Sequence, residues 1–431
     1  MVHPHRKPGT SALVAFFAVA TILLPAHPSL QGVLHRFGVP AALVSAACAI
    51  PVLLIFGMRR LLDRQALLVA GCLAAYSLWM GFRALASPAF GMPNQLESLK
   101  SLLVLMPLAF SSALVATGNR RAAAGSVAIL GGAAAVHFSY LLLLGGGVAG
   151  DSGFRDLSGD DTSENYQATA FYFGLLGVAL AVSALHGRRA WRWIAIAALL
   201  PLIGLMASVG ARASLVALAA VLVTLLFRAG LARAAVFLIV ACALGVAIVL
   251  GADALGILSV ENLLGSLVAV RRFAILAQGG DPSQRVGLFA AALRLWLESP
   301  ATLLFGAGLG DFPLTIGRGI AGCYPHNFVL ETLAEGGLVG LLPLIVVMTM
   351  VGKRFLREAL PKANGPIYLG ALAVYAVLSY QFMGGIQHLW VSTFFMTLFI
   401  CATRPNEQSQ AARSSWMPPK IARAPVAPAH R

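Results

Sequence analysis

The chain has 431 residues, 59% of them hydrophobic and 11% charged, with a formal net charge of +15. So little charge cannot cover a water-soluble surface, and apolar runs repeatedly reach the ~20 residues that a bilayer crossing needs, so the composition excludes a soluble enzyme and indicates a polytopic membrane protein. Basic residues in such a protein report topology through the positive-inside rule, and no nucleic-acid partner is expected.

The opening stretch "MVHPHRKPGTSALVAFFAVATILLPAHPSL" has the basic and apolar regions of a signal peptide but no small-x-small cleavage site, and it reads as a retained first span. Apolar runs then predict an all-α protein with about twelve spans, near 11–29, 39–57, 65–86, 97–117, 122–147, 166–185, 193–210, 213–228, 234–252, 326–351, 366–383 and 389–403. With the N-terminus in the cytoplasm, about two thirds of the 31 Lys and Arg fall on connections that stay inside, and both termini are cytoplasmic. The polytopic part is residues 1–403. Residues 404–431 are polar, proline-rich and basic, as expected of a disordered cytoplasmic tail that touches anionic lipid headgroups. The cysteines are far apart and form neither a disulfide framework nor a zinc site.

Two outer connections stand out. "GDSGFRDLSGDDTSENYQ" is acidic, and its Asp160–Asp161 pair raises the idea of metal-assisted chemistry, although a hard cation needs several converging oxygens rather than one pair. The other, about 254–325, is long enough to be functional rather than a simple link. Within it "QRVGLFAAALRLWLESP" predicts a helix lying at the membrane surface with Arg285 and Arg294, and "LLFGAGLGDF" predicts a glycine-rich turn.

The polar residues that follow are concentrated in "PHNFVLETLAEGGLVGLL". A helix starting near Pro325 puts Asn327, Glu331 and Glu335 on one face with His326 beside it. Glu335 lies almost three turns in, where a carboxylate must face protein or a water-filled cavity, so it either braces a neighbouring helix or serves the chemistry. Glu331, nearer the interface, is expected to be solvated. Gly336, Gly337 and Gly340 permit close approach of another element.

Arg212, in "SVGARASL", occupies a short outer turn, and Arg285 sits on the surface helix. Either could be a snorkelling side chain. Arginine on this side of the membrane runs against the positive-inside rule, however, and calls for a local anion. The adjacent pair Arg271 and Arg272 is a weaker candidate, because lipid phosphate alone would satisfy it. Two outer arginines, a histidine and no metal site fit a lipid-linked diphosphate: guanidinium forks hold phosphate oxygens, and an imidazole takes the proton of an attacking hydroxyl. Glu335 would orient His326 or an acceptor sugar, with Asn327 in support.

Three segments, "SVGARASLVAL", "QRVGLFAAALRLWLESPATLLFGAGLGDF" and "PHNFVLETLAEGGLVGLL", together with "ENYQATAFYFGLL", resemble the bacterial O-antigen ligase and O-antigen polymerase superfamily over residues 164–350. The resemblance implies a GT-C-like helical bundle in the inner membrane. It also implies metal-independent, inverting transfer at the periplasmic face, without a cofactor. The donor would be an undecaprenyl diphosphate-linked glycan and the acceptor a lipid A-core sugar, another repeat unit or a protein. By position, Arg212 and Arg285 would hold the diphosphate and His326 would be the base, with Tyr324, Asn327, Arg271 and Arg272 as supporting candidates. Ala211 and Ala213 depart from the serine and glycine the family often has there. The competing class is a transporter or flippase for a lipid-linked saccharide, which would place polar groups along a path through the membrane rather than at the outer ends of spans.

Overall fold

The computed structural model describes residues 11–24, 27, 43, 64–145, 165–187, 189–209, 212–254, 275, 277–278, 285–316, 324–359 and 367–402. The expected span at 39–57 (but for residue 43), the acidic connection at 151–164, Arg271 and Arg272, and the tail 404–431 lie outside the described residues.

Among the described residues there is no strand, and the chain is all-α. The helices are α1 Ala12–Leu23, α2 Arg64–Leu85, α3 Pro93–Lys100, α4 Met106–Ala116, α5 Arg120–Gly145, α6 Asn165–His186, α7 Arg189–Val209 and α8 Arg212–Ala229. They continue with α9 Leu231–Ala254, α10 Arg285–Trp296, α11 Pro300–Phe305, α12 Asp311–Thr315, α13 Phe328–Ala359, α14 Ile367–Met383 and α15 Leu389–Ala402. A π-helical turn, Ser101–Leu105, joins α3 to α4, and a 3₁₀ turn, Ile386–His388, precedes α15.

Six helical segments of the described residues are long and apolar enough to cross a bilayer, and four more apolar helices are shorter. The expected span at 97–117 and the larger part of that at 122–147 fall within one such segment, Pro93–Tyr140, because only a single 3₁₀ turn, Thr117–Asn119, separates α4 from α5. Leu78, Phe82, Ile129, Val136, Phe227 and Ile239 are exposed on these helices. That outward apolar surface is what lipid tails cover in a membrane protein, whose backbone polar groups are satisfied inside each helix.

The innermost helices are α14 and α15, buried along most of their length. They pack with α4, α6, α8 and α13, and α13 also packs along α2. Aromatic rings fill the centre. Phe171 stacks on Tyr375 at 5.5 Å and meets Tyr380 at 5.1 Å, and the Tyr375 hydroxyl donates to the Phe171 carbonyl at 3.1 Å. That contact requires a glycine at 174, because a Cβ there would overlap the Tyr375 hydroxyl. A phenolic O–H inside an apolar bundle needs such a partner, and the exposed main chain of α6 provides it.

The expected surface helix is α10, which starts at Arg285 and buries Ala292 and Leu295 against Phe312 and Ala334. After it, Ser299 caps α11 in a reciprocal box with Thr302, and Pro300 takes the first helical position, where no N–H is needed. The start of α13 differs from the expectation. Asn327 accepts from the N–H groups of Val329 at 3.0 Å and Leu330 at 2.9 Å, so it is the N-cap and the helix begins at Phe328 rather than near Pro325.

Candidate functional site

The glycine-rich turn after α11 is positioned first, because it carries the rest. Gly306, Gly308 and Gly310 all have positive φ, a region open to glycine at little cost. Its carbonyls are taken by side chains of the α2–α3 region. Arg83 Nη2 donates to Gly306 and Ala307, both at 2.8 Å, and the fully buried Gln95 donates to Leu309 at 2.8 Å and to Ala84 at 3.1 Å. The Ser87 hydroxyl donates to the buried Asp311 carboxylate.

The turn in turn seats α13. That helix is interrupted at Gly337, which adopts φ 66° and ψ −168°. The carbonyls just before the break are bonded from the turn, Ala334 by the Ala307 N–H at 2.8 Å and Glu335 by the Gly308 N–H at 3.1 Å. Trp79 donates its indole N–H to Gly336 at 2.7 Å. A Cβ at Gly306 would overlap the Glu335 main chain, and one at Gly337 would overlap that of Leu304, so both contacts exist only between glycines and backbone.

Glu335 is 2% exposed and its Oε1 accepts from the Phe312 N–H at 3.3 Å. Of the two roles open to it from the sequence, this bond belongs to the brace. Glu331 corrects the expectation of a solvated neighbour. It is buried, and its Oε2 accepts from the Ile386 N–H at 2.8 Å. The reason is the connection Gly384–His388, which folds back over the first turns of α13. A Cβ at Gly385 would overlap the Glu331 carboxylate and come within 2.8 Å of the Tyr324 ring.

His326 stands just ahead of the helix, between buried Pro325 and the capping Asn327. With φ 55° it is the one non-glycine residue at positive φ among the described residues. Such a conformation costs roughly 1–3 kcal/mol and persists where the surroundings impose it, often at functional sites. Its ring lies 4.4 Å from that of Tyr324, bonds to the Met383 main chain, and leaves Nδ1 buried without a hydrogen-bond partner. Burial pushes the imidazole pKa down to about 4, helped by the nearby charges of Arg285 and His388 and opposed by the Met383 bond. The ring is therefore neutral near pH 7, with a nitrogen lone pair available.

The structure brings Arg285 and His326 together: α10 packs on α13, and the Arg285 guanidinium is close enough to act on the imidazole. Arg212 is the first residue of α8 and half-buried. Two residues on, Ser214 donates to the Met383 sulfur at 3.7 Å, which sets Arg212 at the same end of the bundle as the Met383–His326 contact. Tyr324 lines His326 directly. The Asn327 side-chain oxygen is occupied as the cap of α13.

Sequence reasoning missed His388, whose ring is 5.9 Å from that of Tyr324, and the anchoring set Arg83, Ser87, Gln95 and Asp311. A signal for His388 existed in "GGIQHLW", a histidine behind a glycine pair between two apolar runs. Among the described residues no group of three or more His, Cys, Asp and Glu side chains is arranged to hold a metal ion. Comparison of the chain with protein-family models, with curated proteins and with solved structures found no match.

Proposed function

We propose that the protein is a membrane glycosyltransferase of the O-antigen ligase or polymerase type, moving a glycan from an undecaprenyl diphosphate donor to an acceptor hydroxyl. The single observation that carries this reading is the nearness of Arg285 to a half-buried, conformationally strained His326, on α10 and just ahead of α13, two helices that pack together. A guanidinium beside an imidazole repels its proton, so an apo site of this kind holds a weak base. A diphosphate paired with Arg285 would cancel that charge and return basicity to His326 only when donor is bound.

In this reading the acceptor oxygen attacks the anomeric carbon, the carbon–oxygen bond to the diphosphate breaks, and His326 takes the hydroxyl proton. The growing negative charge on the departing undecaprenyl diphosphate is held by Arg285, with Arg212 as its second clamp. Glu335 acts at a distance, holding Phe312 and the glycine turn beneath the site. The same proposal includes about twelve spans in a GT-C-like bundle in the bacterial inner membrane. Both termini are cytoplasmic and the site faces the periplasm.

The test is transfer by purified protein from a lipid diphosphate donor, comparing wild type with Arg285→Ala and His326→Ala. Losses of roughly 10²-fold or more support the assignment, the usual scale for a general base or a charge-stabilising donor. Unchanged turnover in both removes it. Incubating donor with lipid A-core, with itself or with protein then identifies the acceptor, since only a polymerase lengthens the donor chain.

A further inference from the structure

We propose that His388 is a positioning residue for His326, acting through the ring of Tyr324; this rests on the reading of His326 as the base. Four rings stand in a row. Tyr380 stacks on His388 at 6.1 Å with 22° between planes, His388 meets Tyr324 at 5.9 Å with a 50° tilt, and Tyr324 meets His326 at 4.4 Å. The rings come from three separate pieces of chain: α14, the 3₁₀ turn before α15, and the segment leading into α13.

The row matters for the orientation of His326. Its Nδ1 makes no hydrogen bond, and among the described residues its ring is held by a bond to the Met383 main chain and by contact with the Tyr324 ring. Tyr324 is confined by the Gly384–His388 connection, which passes so close at Gly385 that no side chain fits there. That connection is anchored to α13 by the Ile386 N–H on Glu331. His388 is thus mounted on the same support that carries the base. Nδ1 of His388 also makes no hydrogen bond, and the contact His388 makes toward the site is that of its flat ring with Tyr324. Without that ring Tyr324 gains room to turn, and the strained backbone at His326 has a way to relax.

Two measurements test this, on full-length protein in detergent. The first is transfer kinetics. His388→Ala is expected to lower kcat roughly 10- to 100-fold, the cost of a misplaced catalytic group, with the donor KM within about threefold of wild type. His388→Phe, which restores a flat ring, is expected to recover kcat to within about fivefold of wild type. The second is the rate at which diethyl pyrocarbonate modifies His326, followed on the His326 peptide by mass spectrometry. Modification should be several-fold faster in His388→Ala and near the wild-type rate in His388→Phe. Should His388→Ala fail to fold, His388→Leu, which fills volume without a flat ring, is read in the same way.

Unchanged kcat and unchanged His326 modification in the ringless variant would overturn the inference. So would a phenylalanine variant as impaired as the alanine one. The modification rate needs no turnover, so it still reports on positioning if His326→Ala proves fully active and the enzymatic reading fails instead.

Discussion

The Arg83 guanidinium donates to the Gly306 carbonyl at 2.8 Å, and the same nitrogen reaches Ala307 at an equal distance. The end of α2 is thereby tied to a turn more than two hundred residues further on. Hydrogen bonds from a charged donor contribute about 1.5–3 kcal/mol each, and a glycine turn that presents bare carbonyls has no substitute for them. Arg83→Gln is therefore expected to lower stability by about 2–4 kcal/mol. Thermal unfolding in detergent checks this, and a midpoint like that of wild type would show the turn to be held by other means.

The break in α13 makes a sharper contrast between glycines. Gly337→Ala combines a positive φ with a Cβ that overlaps the Leu304 main chain, so the variant is expected to lose more than about 3 kcal/mol or fail to accumulate in the membrane. Gly132→Ala lies in open space on α5 and should match or slightly exceed wild type. Comparing the yield and unfolding temperature of the two variants separates a backbone requirement from a general dislike of added methyl groups.

Glu335 gives a test of brace against chemistry. Glu335→Gln keeps an acceptor oxygen for the Phe312 N–H and should retain turnover within about fivefold, whereas Glu335→Ala leaves that N–H buried and unpaired at a cost of about 1–3 kcal/mol. A glutamine variant that is fully stable but inactive would instead return the carboxylate to a direct part in the reaction.

The acid limb of activity follows from His326, whose pKa in the free protein is held down to about 4, first by burial and then by Arg285. The profile of kcat/KM, which reports the free enzyme, should fall only near pH 4, while kcat should fall at a higher pH because bound diphosphate neutralises Arg285. Stability has the matching sign. The unfolded chain binds the His326 proton near pH 6.5 and the folded one only near 4, so this residue costs stability as pH drops through that window, about 1–3 kcal/mol at the bottom. Unfolding midpoints of wild type and His326→Gln, compared from pH 7.5 to 4.5, should converge toward acid. Parallel curves would contradict the shift.

Some of this arrangement was legible in residue order. Apolar runs predicted an all-α membrane protein, the periodicity after Gln284 predicted the surface helix that opens at Arg285, and the glycines of "FGAGLGDF" predicted a turn. Arg285 and His326 could be paired in advance because each was polar where a membrane protein has reason not to be. What stayed hidden depends on distant backbone. The capping role of Asn327 was hidden because it depends on where the helix starts, and the sequence placed that start near Pro325 rather than at Phe328. Glu331 looked solvated because its depth could be counted while the Gly384–His388 cover could not. Arg83 and Gln95 are bonded to carbonyls, which every residue carries and no pattern of side chains reveals.

The interruption at Gly337 also bears on how the protein is made. A carbonyl left bare in hydrocarbon costs several kcal/mol, and here those of Ala334, Glu335 and Gly336, with the Glu335 carboxylate, sit inside one apolar span. Every group that satisfies them, from Trp79 to Gly308 and Phe312, precedes Phe328 in the chain. The ribosome thus delivers the seat before the helix that needs it, and α13 can enter the bilayer against a surface already waiting. Reversing that order, by permuting the chain so that α13 is synthesised first, would ask the insertion machinery to leave the same segment unpaired in lipid.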